Sequence, residues 1–186
     1  AELVETEKPD LLAFSEHKLS EEKREACEAT LLKLLPGYTA HWAVCTAKKG
    51  YSGVAILVKE GTAVLSTEVD QVEATLHEGR TLTVELEHCI AVAAYVPNSG
   101  QKLERLDYRI QSWDPALRAY LQQLEARKPV VLFGDLNVCH LDADIWNIEA
   151  KHIPKSAGCT PQERESFSTL LEGFDDCFRS LHAEAT

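Results

Sequence analysis

A chain of 186 residues, 45% hydrophobic and 26% charged, has the ordinary make-up of one globular domain large enough for a real core. No apolar run approaches membrane-spanning length and no secretory signal is visible, which sets aside a membrane protein and leads to the expectation of an intracellular one. The net charge of -11 argues against a general nucleic-acid binder, because phosphate contacts need Lys and Arg.

Cys27, Cys45, Cys89, Cys139, Cys159 and Cys177 lack CxxC spacing and several sit beside apolar residues. They are expected to be reduced, partly buried thiols rather than disulfides or a zinc site. The chain has no methionine and opens on Ala1, so it is expected to be trimmed or internal to a longer protein.

Taken in order, residues 10–14 read as a buried strand ending at Ser15-Glu16. Ser20 is a plausible N-cap for a helix that Pro36-Gly37 stops. Strands follow at about 38–46, 53–59, 62–67, 80–87 and 89–95, the last few with meander spacing. Residues 103–127 read as helix, with Leu106, Ile110, Leu117, Leu121 and Leu124 on one face. Pro115 interrupts it; Asp114-Pro115 suggests a second N-cap, so a kink or two abutting helices are expected. A buried strand at 129–133 leads into a long loop, about 138–159, of the kind that usually carries function. Thr160-Pro161-Gln162-Glu163 has the pattern of a capping box opening a helix. Alternating strands and helices imply α/β layers with a mixed sheet.

The most informative residues follow the strand at 129–133: Gly134-Asp135-Leu136-Asn137. At a strand end Asp135 and Asn137 can point the same way, one a charged acceptor, the other a neutral amide that donates and accepts. Read alone, they could equally be an Asx-rich turn. Three more strand ends carry polar groups: Glu16, Gly50-Tyr51-Ser52-Gly53 and Tyr95-Val96-Pro97-Asn98. If these ends converge, their hard oxygen donors select Mg²⁺ or Mn²⁺ over zinc. The expected chemistry is phosphoryl-ester hydrolysis.

Five segments resemble the exonuclease III-like apurinic/apyrimidinic endonucleases of the endonuclease/exonuclease/phosphatase superfamily. They are Phe14-Ser15-Glu16-His17-Lys18, Gly50-Tyr51-Ser52-Gly53-Val54, Ala94-Tyr95-Val96-Pro97-Asn98-Ser99-Gly100, Gly134-Asp135-Leu136-Asn137-Val138 and Ala157-Gly158-Cys159-Thr160-Pro161-Gln162-Glu163-Arg164. They stand in the family's order across nearly the whole chain. The resemblance implies a four-layer α/β sandwich of two packed mixed sheets flanked by helices. It implies a Mg²⁺ (or Mn²⁺) enzyme that cuts double-stranded DNA 5′ to abasic sites in base excision repair, nuclear in a eukaryote. Glu16, Asp135 and Asn137 would bind the metal. Tyr95, Asp135 and Asn137 would act on the scissile phosphate and the attacking water. Tyr51, Arg80, Asn98 and Asn147 would contact DNA. Trp146, beside Asn147, could equally anchor that loop in the core. His17 and His140 read as loop residues, and Thr160 and Glu163 as helix caps without chemistry.

The family opens on a strand with an Asn-bearing motif and closes on a Ser-Asp-His element; neither has a counterpart here. Gln101 stands where some relatives carry a DNA-inserting Arg. The resemblance therefore implies the central portion of the domain, needing N- and C-terminal segments or a companion chain to complete the fold. Two other readings remain: another phosphoesterase of the superfamily, and a catalytically incomplete nuclease-like binding domain.

Overall fold

The computed structural model describes residues 2–75 and 77–182. The chain divides into two compact units, one built from the chain up to Val96 with Ala119–Leu136, the other from Pro97–Arg118 with the chain from Asn137 on. Among the described residues no helix is long and apolar enough to cross a membrane.

The first unit contains two sheets. β1 (Leu11–Ser15), β2 (Tyr38–Ala43) and β3 (Val54–Lys59) form an antiparallel sheet in the order β1-β3-β2. β4 (Val64–Val69), β5 (Thr81–Leu86), β6 (Ile90–Tyr95) and β7 (Val130–Asp135) form the second, in that order. Its first three strands are an antiparallel meander, while β6 and β7 run parallel, which a long crossover connection permits. The sheets face each other across one core in which Val54, Ile56 and Val58 meet Leu82, Val84, Ala93 and Tyr95. β3 is buried at every residue from Val54 to Val58, as the central strand of a covered sheet must be.

Helices cover both outer faces of this unit. α1 (Glu2–Glu7) and α2 (Glu21–Leu34) lie on the first sheet, where Val4, Leu31 and Leu32 pack against Leu35, Tyr38 and Leu57. On the second sheet the Tyr120 hydroxyl meets that of Thr83 at 2.8 Å, with Leu121 and Leu124 buried on the same helix. The result is the helix–sheet–sheet–helix layering expected from the sequence.

Several boundaries differ from the sequence reading. The strands expected at 10–14 and 129–133 are edge strands of their sheets rather than interior ones. Their apolar runs are only partly covered, and Val131 is 46% exposed. A continuous apolar run signals burial on both faces, yet among the described residues each of these strands has a neighbouring strand on one side only. Ser20 holds the N-cap backbone geometry of α2, but its hydroxyl makes no cap hydrogen bond.

The break expected at Pro115 takes another form. α3 (Leu106–Tyr108) passes through a π-helical turn at Arg109–Trp113 into α4 (Asp114–Glu125). Asp114 is itself helical, at φ -62° and ψ -42°, so it is not a cap. Proline lacks the N–H of a regular helical bond and its ring crowds the preceding turn; a locally wider turn accommodates both.

In the second unit, the 138–159 stretch carries two short 3₁₀ turns, Asp142–Asp144 and Ile153–Lys155. It ends at α5 (Pro161–Leu171), opened by the expected capping box, in which the Thr160 hydroxyl accepts from the Glu163 N–H at 3.2 Å. α6 (Cys177–Leu181) follows, capped by Asp176.

Candidate active site

Within the first unit, the ends of β1, β6 and β7 bring Glu16, Tyr95 and Asp135 together. Gly134 makes the close approach of β6 and β7 possible. It lies opposite Ala94 with φ +129°, and a Cβ there would sit 2.2 Å from the Ala94 carbonyl oxygen. That register makes Tyr95 and Asp135 direct cross-strand partners. The Tyr95 hydroxyl donates to Glu16 Oε1, and Lys18 Nζ lies 3.2 Å from Glu16 Oε2.

This arrangement sets the charges. The Tyr95 hydrogen bond, then Lys18 and Arg80, hold the Glu16 carboxyl below its ordinary range against a smaller opposing effect of burial. Burial first, and the Glu16 carboxylate second, raise Tyr95 and keep it a protonated donor. Arg80, expected on a DNA-facing surface, is 1% exposed. Its Nε donates to Glu78 at 2.5 Å, Nη1 to the Tyr95 carbonyl at 3.1 Å and Nη2 to the Tyr51 hydroxyl at 2.7 Å. The guanidinium also lies over the Tyr95 ring, 4.8 Å from its centre, and Lys48 Nζ lies 5.1 Å from that of Tyr51. Arg80 thus holds Tyr51 and Tyr95 from beneath, and Lys18, Lys48 and Lys49 supply local positive charge in an acidic chain.

His17 is a clamp for the segment that carries Glu16. Its Nδ1 accepts the Leu19 N–H at 3.1 Å, its Nε2 bonds the Ala43 carbonyl at 3.1 Å, and its ring meets Trp42 edge-on. Glu16 and Lys18 on either side have φ of +56° and +54°, a strained pair that this anchoring must hold. Gly53, at φ +95°, leaves room for the ring; a Cβ there would lie 2.3 Å from it.

The second unit holds the amide residues. Asn98 Nδ2 donates to Asn137 Oδ1 at 3.0 Å, and the Gly100 N–H donates to Asn98 Oδ1 at 2.8 Å. Asn137, at φ +48°, is fixed through its backbone: Arg109 Nη1 donates to its carbonyl at 2.6 Å. Arg109 is itself held by the fully buried Glu163 at 3.1 Å. Glu163 further accepts from the Ser99 hydroxyl at 2.5 Å, the Gly158 N–H at 2.8 Å and the Thr160 hydroxyl at 2.7 Å. Glu163 therefore does more than cap α5: through Arg109 and Ser99 it ties the Asn98 and Asn137 segments together. The capping-box pattern explained this residue too well for the sequence to reveal its second role. Asn147 lies exposed in the 3₁₀-rich stretch. Trp146 beside it is fully exposed, so it does not anchor the loop; the buried tryptophan of this unit is Trp113.

Glu16 and Asp135 are the hard-oxygen donors of the first unit's cluster. Among the described residues no three His, Cys, Asp or Glu are grouped to hold a metal. Two carboxylates beside open solvent suit Mg²⁺ or Mn²⁺, which keep several waters, better than the closed nitrogen and sulfur cage of structural zinc. The residues present fit a divalent cation of that class.

Residues 1–164 match the Endonuclease/Exonuclease/phosphatase family. The chain is 43% identical over 182 residues to the DNA repair nuclease APEX1 of Danio rerio, covering 97% of this chain and 56% of that protein. It is 41% identical over 148 residues to an exodeoxyribonuclease of Bacillus subtilis, covering 79% of this chain and 57% of that protein. The solved structure of the AP endonuclease LMAP from Leishmania major superposes with a TM-score of 0.81 at 31% identity, over 100% of this chain and 64% of that one. The chain thus spans a little over half the length of these two curated relatives.

Proposed function

Because the chain belongs to the endonuclease/exonuclease/phosphatase family, we propose that it is part of a divalent-metal-dependent nuclease that hydrolyses double-stranded DNA 5′ to abasic sites. One observation carries the reading: the Glu16–Tyr95–Asp135 cluster, with Tyr95 kept protonated beside two carboxylates. The names of the relatives, a DNA repair nuclease and an AP endonuclease among them, supply the substrate class.

In this reading Glu16 and Asp135 hold Mg²⁺ or Mn²⁺. When bound, the cation polarises a phosphate oxygen and makes water a better nucleophile. Asp135 takes the proton of the attacking water. The Tyr95 hydroxyl, kept protonated, turns its one proton from Glu16 to the phosphate and stabilises the charge that develops there. The Asn137 and Asn98 amides orient the phosphate. Tyr51, Asn98 and Asn147 contact the DNA backbone, and Arg80 contributes through Tyr51, which it holds. Specificity for a base-free sugar comes from extruding it from the stack. A nuclear location follows if the source is eukaryotic.

The test uses the full-length protein and a duplex with one internal abasic-site analogue, labelled at both ends. A single cut leaving a 3′-hydroxyl on the 5′ side of the lesion is expected. The Bacillus subtilis relative supports a second reading, digestion from a DNA end, which the same gel would show as a ladder. Turnover of an inositol phosphate with no cleavage of the duplex would overturn both.

A further inference from the structure

Cys139 and Cys159 stand at the two ends of the 140–158 segment. The Cys139 N–H donates to the Gly158 carbonyl oxygen at 2.8 Å. Standard backbone dimensions then keep the Cα atoms of Cys139 and Cys159 within roughly 7 Å of each other. Disulfides bridge Cα separations of about 4.4–6.8 Å. The Cys159 thiol lies against that of Cys139; burial first, and that neighbour second, push it up to about 11, and both residues are half-buried. The hydrogen bond holds the two backbones near the range that a disulfide spans. Cys159 is fixed by its N–H to the Ser156 carbonyl at 3.0 Å and by the capped helix that begins next to it. All six cysteines are free thiols, and the other four are spread over the rest of the chain.

We propose that Cys139 and Cys159 form a modification site, a reversible disulfide that oxidised glutathione installs and that closes the base of the 140–158 segment. One thiolate attacks a sulfur of glutathione disulfide, giving a mixed disulfide and releasing one glutathione. The second cysteine, as thiolate, attacks the protein sulfur and releases the second glutathione. Two protein thiols are oxidised, one glutathione disulfide becomes two thiols, and the protons pass to them. The segment so closed carries the exposed Trp146 and Asn147.

The experiment treats the folded full-length protein with glutathione disulfide, blocks remaining thiols and maps the peptides without reduction. The expected result is a peptide pair joined through Cys139 and Cys159, lost again on dithiothreitol. The melting temperature should rise by several degrees in the oxidised parent, as for a cross-link that closes a loop of this size. Cys159→Ser should show no such rise and should accumulate a glutathione adduct on Cys139. Full blocking of both thiols after treatment, or stable separate adducts on both in the parent, would overturn the proposal. The parent's peptide map decides the matter even if the variant does not fold.

Discussion

The Tyr95 hydroxyl donates to Glu16 Oε1, joining the last residue of β6 to the first residue past β1 across 79 positions of sequence. This single bond lowers the Glu16 carboxyl and helps keep Tyr95 protonated. The two groups therefore define each other's charge.

Tyr95→Phe tests that coupling. The sign follows from Glu16: its folded value is depressed, so its charge is retained down to a lower pH than in an unfolded chain, and lost as pH falls through the folded value. Removing the hydroxyl removes the largest lowering influence, and the Glu16 carboxyl should move up. Carbon-13 NMR titration of the Glu16 carboxyl should show the rise. Cleavage by the full-length variant should fall by about 10²–10³-fold, the usual loss for one donor to a developing oxyanion. Unchanged Glu16 titration would break the coupling.

Arg109→Met tests the buried relay behind Asn137. It removes the cation from the fully buried Glu163 carboxyl and leaves it only neutral donors, and breaking such a pair from one side costs about 3–5 kcal/mol. Pairing Arg109→Met with Glu163→Leu should cost less than the sum of the single changes, because the stranded charge is gone. Urea unfolding of all three variants checks this, and full additivity would contradict it.

Two glycines should respond unequally. At Gly134 an added Cβ meets the Ala94 backbone oxygen, which β6–β7 pairing fixes. Gly134→Ala should cost about 3 kcal/mol or more and separate Tyr95 from Asp135. At Gly53 the obstruction is the His17 ring, a side chain that can swing away. Gly53→Ala should cost less, about 1–2 kcal/mol, yet displace the clamp on Glu16. Thermal unfolding ranks the pair, and the reverse order would refute the argument.

Trp146 reports on its neighbour Asn147. It is fully exposed whereas Trp113 is fully buried, so red-shifted emission should come chiefly from Trp146. If Asn147 contacts DNA, adding an abasic duplex should change that emission, and Trp146→Phe should remove the change. An equal change in the variant would place the DNA elsewhere.

Much of this was legible in the sequence because short polar motifs punctuate strong apolar runs. The capping box at Thr160, the meander of β4 to β6 and the four polar strand ends are local patterns, and local patterns are what a sequence displays. What stayed hidden is long-range. The edge positions of β1 and β7 among the described residues depend on which strands pair, and apolar runs do not record that. α1 carries no sequence signal, because six residues with two apolar ones show no periodicity. Pro115 announced a break but not its form, since a π turn and a kink satisfy the same missing N–H. The resemblance makes Arg80 a DNA contact; its burial depends on Glu78, Tyr95 and Tyr51 arriving together, which no local pattern records. Glu163 hid behind a sufficient local explanation.

The most direct test of the central claim is cleavage against binding for Asp135→Ala in the full-length protein. Asp135 sits in register with Tyr95 at the end of β7, and its proposed role is to take the proton of the attacking water. With Mg²⁺ and an abasic duplex, the variant should lose cleavage by several orders of magnitude while its duplex affinity stays within a few fold of the parent. Cleavage at the parent's rate would contradict the account.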